Sequence, residues 1–288
     1  MPRRRLELPI PESLDRYLGS KRWLPKLFPT LLPPPSRGGV FFEGFVGGGA
    51  VAFHYAQTGC RLVLGDANPR LIGAYRWIQK EPERLVSILD GFSSAQNAAG
   101  DRAPEVFALI RDTMNVTDPE SPLSAAGLLY VIGTGFNGIY RVNRKGICNT
   151  PWGKPKPGKD LSRRLELLGM QRLLQRATFR CGDFEETVTP ARRGDFVFFD
   201  PPYVGDAGSG DFVGYAAGGW TEADRKRLGL VLRDLDRRGV RFLLSDKDGA
   251  SPRSVYGLFR VIEAEVSRSV SAKPSGRGKV KELLVANF

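Results

Sequence analysis

Val40-Phe41-Phe42-Glu43-Gly44-Phe45-Val46-Gly47-Gly48-Gly49-Ala50 is the stretch whose reading decides the fold. Val40-Phe41-Phe42 is a short apolar run suited to a buried strand, the three glycines form a turn, and Ala50 to Gln57 can begin a helix. A second apolar run, Arg61-Leu62-Val63-Leu64-Gly65, ends at Asp66. Residues 40–66 therefore read as strand, glycine turn, helix, strand. Such a βαβ unit requires a parallel sheet with helical crossovers.

The pattern extends in both directions. Upstream, the proline-rich Leu27 to Pro35 reads as an extended linker. Downstream, residues 70–130 read as mainly helical, with breaks expected at Ser93 to Gly100 and Asp118 to Pro122. Thr134 to Lys159 mixes glycine, asparagine, aromatic and basic residues and cannot be one long helix. Asn149 to Pro157 reads as loop and Leu161 to Leu174 as helix. Asp195-Phe196-Val197-Phe198-Phe199 is a continuous apolar run, as expected of a central strand buried on both faces. Gly205 to Gly219 lacks periodicity and is expected to be mobile. Thr221, with Asp224 three residues on, signals the start of a helix running to Arg238. Val240 to Ser245 reads as a strand, and Val261 to Val270 with Lys281 to Phe288 as a closing pair.

The 288 residues suffice for one large domain, or for a core domain with an insert, and 43 Lys and Arg against 31 Asp and Glu give a formal charge of +12. That excess fits a polyanionic partner. Cys60, Cys148 and Cys181 are widely spaced and His54 is the sole histidine, so a Cys/His zinc site lacks ligands and no metal is expected. No apolar run approaches the roughly 18 residues of a membrane span. Met1-Pro-Arg-Arg-Arg is basic but lacks the apolar core of a signal peptide. A reduced, cytoplasmic protein is expected.

Three constellations carry chemistry. The first is Phe42 to Ala50 with Asp66: a glycine turn between strand and helix admits a ligand to the backbone, and an acidic residue after the next strand commonly holds ribose hydroxyls. The spacing is neither the dinucleotide fingerprint nor the P-loop. The second is Asp200-Pro201-Pro202-Tyr203, straight after the buried strand. The Asp200 carboxylate and the Pro201 carbonyl can accept the two protons of an aryl amine, and Tyr203 can stack on its ring. The third is Gly135 to Gly146, where Asn137, Tyr140, Arg141, Asn143, Arg144 and Lys145 interleave amide, aromatic and basic groups. A hairpin tip of this kind can enter a DNA groove.

These residues resemble the DNA adenine methylases, amino-methyltransferases whose recognition insert lies between the cofactor and catalytic motifs. Tyr17-Leu18-Gly19-Ser20-Lys21-Arg22 is similar to the family's N-terminal segment, which puts Tyr17 and Lys21 near the methionine end of the cofactor or the DNA backbone. Phe42-Glu43-Gly44-Phe45-Val46-Gly47-Gly48-Gly49 resembles the cofactor glycine motif, Asp66-Ala67-Asn68 the ribose motif, and Cys181-Gly182-Asp183-Phe184 the step that meets the cofactor adenine. Phe136 to Gly153, including Asn149, resembles the family hairpin. Ser245-Asp246 and Lys281-Glu282-Leu283-Leu284 also fit. Gly44, Ser20 and Asp246 depart from common family residues (proline, glycine and asparagine), and none of the three removes a catalytic group.

The resemblance implies an α/β Rossmann-like, doubly wound methyltransferase sheet. Residues 1–75 and 175–288 would form an S-adenosylmethionine-binding catalytic domain. Residues 76–174 would form a smaller helical and β-hairpin target-recognition insert, with its hairpin at about 134–153. The implied activity is transfer of a methyl group to N6 of an adenine flipped from double-stranded DNA. The cofactor contacts would come from Tyr17, Lys21, Phe42, Glu43, Gly44, Phe45, Gly47, Gly49, Asp66, Asn68, Asp183, Phe184 and Asp200. Catalysis would rest on Asp200, Pro201, Pro202 and Tyr203, and the protein would act as a monomer. A cytosine-N4 or RNA amino-methyltransferase and a catalytically idle DNA-binding module are the rival readings.

Overall fold

The computed structural model describes residues 8–14, 20–143, 145–155, 160–204, 219–268 and 278–288. Tyr17, Arg144, the basic N-terminus, Gly205 to Gly218, and Lys273 and Arg277 lie outside them. In chain order the elements are α1 (Leu24–Leu27), β1 (Val40–Glu43), α2 (Ala50–Gln57), β2 (Arg61–Asp66), α3 (Pro69–Lys80), α4 (Pro82–Ala99), α5 (Ala103–Val116), α6 (Pro122–Thr134), α7 (Arg164–Leu174), β3 (Ala177–Cys181), α8 (Phe184–Val188), β4 (Phe196–Phe199), α9 (Glu222–Arg237), β5 (Arg241–Lys247), α10 (Ala250–Tyr256), β6 (Arg260–Arg268) and β7 (Gly278–Ala286).

The strands form one seven-stranded sheet in the order β3-β2-β1-β4-β5-β7-β6. The first five strands pair in parallel, while β7 runs antiparallel between β5 and β6. This is the Rossmann-like α/β sheet that the sequence implied. Strand order reverses between β1 and β4, so the crevice beyond their carboxyl ends is the switch point at which such sheets bind ligands.

Alternation along the strands explains why both faces of the sheet are covered. Phe41, Leu62, Leu64, Phe196, Phe198 and Leu243 enter one core with helices α2 to α7. Phe42, Val197, Phe199, Phe242 and Leu244 enter a second core with α8, α9 and α10. A strand with apolar residues at both parities must be buried on both sides. The helices of residues 76–174 share the first core with the sheet. Arg70 of α3 ties them further, donating to the carbonyls of Asn115 (2.8 Å) and Thr117 (2.9 Å) and to Ser124 Oγ (2.6 Å).

Two expectations are corrected. The break at Ser93 to Gly100 does not occur, because α4 continues to Ala99 and stops at Gly100, whose φ is +55°. Tertiary contact overrides the weak helix preference of this polar segment: Phe92 packs edge-on to Tyr130, and the Tyr130 hydroxyl donates to Gln96. The proline-rich linker is extended only in part. Pro29–Leu31 forms a 3₁₀ turn, Leu31 and Leu32 are buried, and the Tyr55 hydroxyl donates to the Pro33 carbonyl (2.9 Å). The capping box is as read: Thr221 Oγ1 accepts from Asp224 N, and Asp224 accepts from Thr221 N.

Candidate active site

The glycine turn after β1, Asp66 at the end of β2 and the Asp200 to Tyr203 turn after β4 all lie at the carboxyl ends of their strands. Gly49 caps α2 at φ +68°, and a Cβ there would come within 2.8 Å of the Tyr75 hydroxyl. That hydroxyl donates to the Gly47 carbonyl (2.8 Å). Asp66 grips the other side of the loop, its Oδ2 accepting from Gly47 N (3.0 Å) and its Oδ1 from Asn68 N (2.9 Å). Burial pushes the Asp66 carboxyl up, and these two backbone donors oppose the shift. Glu43 ends β1 fully buried. Burial, and next the Asp200 and Asp66 carboxylates, hold its carboxyl well above the usual range, against the backbone of Ala52. Among the described residues nothing hydrogen-bonds Glu43 Oε2.

An aromatic group flanks this loop. Phe45 stacks on Phe184 at 5.1 Å between centroids, and Trp220 meets both edge-on at 5.3 and 5.6 Å. Arg227 lies 4.6 Å from the Phe184 centroid and donates to Asp183 Oδ2 (2.8 Å). Asp183 Oδ1 caps α8 through Glu185 N (2.8 Å). The indole Nε1 of Trp220 is buried with no hydrogen-bond partner among the described residues.

Asp200 follows β4 directly. Its Oδ1 lies 2.7 Å from Lys21 Nζ, with the lysine side chain 4% exposed and the aspartate 20%. Burial lifts the Asp200 carboxyl to about 6, against the attraction and hydrogen bond of Lys21, with Glu282 and Asp246 adding repulsion. For Lys21, burial works against the charge, but Asp200, Tyr203 and Glu282 outweigh it and raise its pKa. Lys21 Nζ also lies 3.4 Å from the Tyr203 hydroxyl and 3.7 Å from Glu282 Oε2. The Tyr203 hydroxyl donates to Glu282 Oε1 (3.0 Å). Behind them Asp246, fully buried, pairs with Arg225 (3.1 Å) and accepts from the Tyr256 hydroxyl (3.3 Å).

The hairpin is irregular. It is closed by two isolated antiparallel bridges, Gly135 with Trp152 and Val142 with Cys148. Gly153 packs against the Gly135 backbone so closely that a Cβ would lie 2.4 Å from its carbonyl oxygen. Side chains supply the missing ladder. Asn115 of α5 donates to the Cys148 carbonyl (2.9 Å) and accepts from its amide (2.8 Å). Thr150 Oγ1 donates to Ile139 O (2.8 Å), and Arg111 donates to Thr150 O (3.0 Å). At the tip, Asn143 Oδ1 accepts from Lys145 N (2.9 Å) and Ile147 N (3.1 Å). Lys145, Gly146, Ile147 and Asn149 are exposed.

A carboxylate beside a proline-restricted turn, next to a glycine cofactor loop, suits amine methylation, and comparison with known proteins decides the matter. Residues 17–270 match the model of the D12 class N6 adenine-specific DNA methyltransferases. The chain belongs to that family. It is 33% identical to the type II methyltransferase M1.LlaDCHI of Lactococcus lactis subsp. cremoris, over 95% of this chain and 94% of that one. It is 31% identical to a DNA adenine methylase of Vibrio cholerae, over 84% of each chain. It is also 30% identical to the type II methyltransferase M.MjaIII of Methanocaldococcus jannaschii, over 86% of this chain and 88% of that one. The protein is thus an adenine-specific DNA methyltransferase, and cytosine, RNA and idle-module readings fall away. Among the described residues no helix is long and apolar enough to cross a membrane, and no His/Cys/Asp/Glu cluster could hold a metal.

Within this methyltransferase, some expected site residues take other positions. Phe42 is buried in the second core, the parity opposite to Phe41, in the same cluster as Phe184. Tyr140 is buried in the first core with its hydroxyl beside Asn68, so its ring anchors the hairpin instead of projecting from the tip. Asn68 Oδ1 caps α3 through Arg70 N (3.1 Å) and Leu71 N (3.4 Å). Asn143 builds the tip. Asn137 occupies left-handed backbone at φ +55° in a 3₁₀ turn. Lys21, expected near the methionine end of the cofactor or the DNA backbone, is buried against Asp200. The sequence reading missed Tyr75, Asn115, Trp220, Arg227 and the role of Glu282. Each lies on a helix, loop or strand distant in the chain from the motif it serves, and only the lone acidic residue in the apolar strand Lys281-Glu282-Leu283-Leu284-Val285 was a visible signal.

Proposed function

We propose that this methyltransferase uses S-adenosylmethionine to methylate N6 of an adenine extruded from double-stranded DNA. The observation that carries the reading is the neighbourhood of two carboxyl groups at the switch point: half-buried Asp200, lifted to about 6, and buried Glu43, which feels the Asp200 charge and whose Oε2 lacks a partner among the described residues. An orphaned buried carboxylate oxygen fits a cationic ligand. When bound, the sulfonium cofactor supplies an electrophilic methyl group. Glu43 and the Gly47 to Gly49 loop would hold its methionine end, Asp66 its ribose, and Asp183 with Phe45 and Phe184 its adenine.

The remaining work belongs to the chain. Asp200 and the Pro201 carbonyl accept the two amine protons, which turns the nitrogen lone pair out of the ring. Pro201 and Pro202 restrict the loop so that both acceptors stay aimed. Tyr203 stacks on the base and offsets part of the few kcal/mol that extrusion costs, stacking being worth roughly 1–3 kcal/mol. Asp200 need not be a strong base, because the amine proton becomes acidic once the methyl has arrived. Residues 76–174 serve as the target-recognition insert, with Asn137, Arg141, Arg144, Lys145 and Asn149 facing DNA. The protein works as a cytoplasmic monomer without metal.

The test is single-turnover methylation of a duplex carrying one mapped target, with cofactor binding followed by calorimetry. Asp200→Ala is expected to bind cofactor and fail to transfer. A rate above about a tenth of wild type, roughly 1.4 kcal/mol of barrier, overturns the mechanism. Asp183→Ala is expected to weaken cofactor binding more than it slows transfer; unchanged binding removes Asp183 from the adenine site.

A further inference from the structure

Glu282 lies on β7, paired with Lys247 of β5 and Ala264 of β6, so an acidic side chain sits within the sheet. It is buried, and burial of a carboxylate is unfavourable unless donors surround it. The donors it has come from the catalytic site. Oε1 accepts from the Tyr203 hydroxyl at 3.0 Å, while Oε2 accepts from Ser245 Oγ at 3.1 Å and lies 3.7 Å from Lys21 Nζ. Lys21 in turn lies 2.7 Å from Asp200. One carboxylate thus touches both the aromatic residue and the cation of the transfer site while itself standing behind them.

We propose that Glu282 is a positioning residue for methyl transfer, anchoring the Tyr203 ring through its hydroxyl and sharing Lys21 with Asp200, a role that rests on Asp200 being the amine acceptor. Anchoring matters because a stacking ring is effective only when its plane is held, and the hydroxyl is the end of the ring farthest from the backbone. Sharing matters because Lys21 is buried. If Asp200 were its one anionic contact, binding the base amine would compete with the ion pair. With Glu282 alongside, Lys21 can lean away from Asp200 while its charge stays paired. The charged groups that act on Asp200 are Lys21 from the segment before α1, Glu282 from β7, Asp246 from β5 and Glu43 from β1, while Tyr203 of its own loop acts on Lys21. Removing the Glu282 charge withdraws one anionic contact from Lys21 and one repulsion from Asp200, which favours the ionised aspartate.

The experiment compares Glu282→Gln, which removes the charge, Glu282→Leu, which removes the acceptor as well, Tyr203→Phe, the Glu282→Leu/Tyr203→Phe double mutant and Asp200→Ala on a duplex with one mapped target. It reads single-turnover rate against pH and, without cofactor, the fluorescence of 2-aminopurine placed at the target. Folding is checked by melting. Glu282→Gln is expected to slow transfer several-fold and to move the acid limb of the rate profile to lower pH, and Glu282→Leu to slow it about tenfold and also reduce the 2-aminopurine signal. A purely structural defect would not produce that pH shift. Tyr203→Phe is expected to cost several-fold alone and little in the Glu282→Leu background, since both remove the hydroxyl-to-carboxylate tether, whereas the Glu282→Gln amide oxygen can still accept it. A wild-type rate and acid limb in Glu282→Gln, or effects that multiply in the double mutant, would overturn the role. Should Glu282→Gln fail to fold, Tyr203→Phe decides alone: wild-type rate and fluorescence refute the tether. An active Asp200→Ala, which lacks any side-chain acceptor, would instead sink the acceptor reading, whereas an inactive Asp200→Ala beside an unaffected Glu282→Gln rejects the Glu282 role only.

Discussion

The loop at Asp200 to Tyr203 and the hairpin at Gly135 to Gly153 are both irregular segments, yet they are held by opposite means. The first is fixed through its functional groups: Asp200 is paired with Lys21, and the Tyr203 hydroxyl is bonded to Glu282. The second is fixed through its backbone. Asn115, Arg111 and Thr150 bond main-chain groups, and the tip side chains Lys145 and Asn149 stay exposed. A catalytic site must arrive with its charges already oriented, because reorganising them during reaction adds to the barrier. A reader of DNA needs a stable frame with side chains left to meet phosphate and base edges.

The largest break in this contrast is expected from Asp200→Ala. Single-turnover transfer should fall by about three orders of magnitude, roughly 4 kcal/mol, while the salt dependence of DNA binding stays as in wild type. A change in the salt slope would mean that the two regions are not separate in function.

The pH profile comes next. The Asp200 carboxyl is lifted to about 6 by burial. Transfer needs it ionised, so the rate should fall about tenfold per unit below pH 6 if this group alone controls the limb. Stability runs the other way. A carboxyl with a folded-state pKa above its unfolded value, near 3.9, contributes stability that is fully present below pH 3.9 and lost as pH rises through about 6. Thermal melts of wild type and Asp200→Asn between pH 4 and 8 check this. The wild-type minus Asn difference should grow less favourable across that window, and a difference rising with pH would contradict it.

Asn115→Ala sharpens the other side. It removes both bonds to Cys148 and leaves a buried amide and carbonyl unsatisfied, costing about 1–3 kcal/mol of stability. Discrimination between target and near-target duplexes should fall about tenfold, while the rate on saturating target duplex stays within about threefold. Equal loss on both duplexes would show that the hairpin frame does not govern site choice. The smallest expected effect is Lys145→Ala: the slope of log binding constant against log salt should flatten by about 0.9, one phosphate contact. An unchanged slope would take Lys145 off the backbone.

Much of the fold was legible because its signals are local. Val40 to Asp66 carries strand, turn and strand within one window, and Phe196 to Phe199 is apolar at both parities, which specifies a strand covered on both sides. The catalytic tetrapeptide was legible because proline restriction and chemistry coincide in four neighbouring residues. Short elements such as β3 and α8 were not, since Ala177 to Val188 has no clear period and gains its structure by pairing with β2. Tyr140 was misread for the same kind of reason: a tyrosine among basic residues has no local mark that separates an anchor from a reader.

What the sequence by itself determined is the parallel αβ core, the glycine turn and the Asp200 to Tyr203 turn at strand ends, and the family to which the chain belongs, all written in contiguous residues. Only the tertiary structure decided that Lys21, 182 residues before Tyr203 in the chain, and Glu282, 79 residues after it, converge on Asp200 and Tyr203. The physical reason is that electrostatic partners are chosen by distance in space. Sheet order brings β7 beside β5, and hence Glu282 behind the loop after β4. No spacing along the chain encodes that approach.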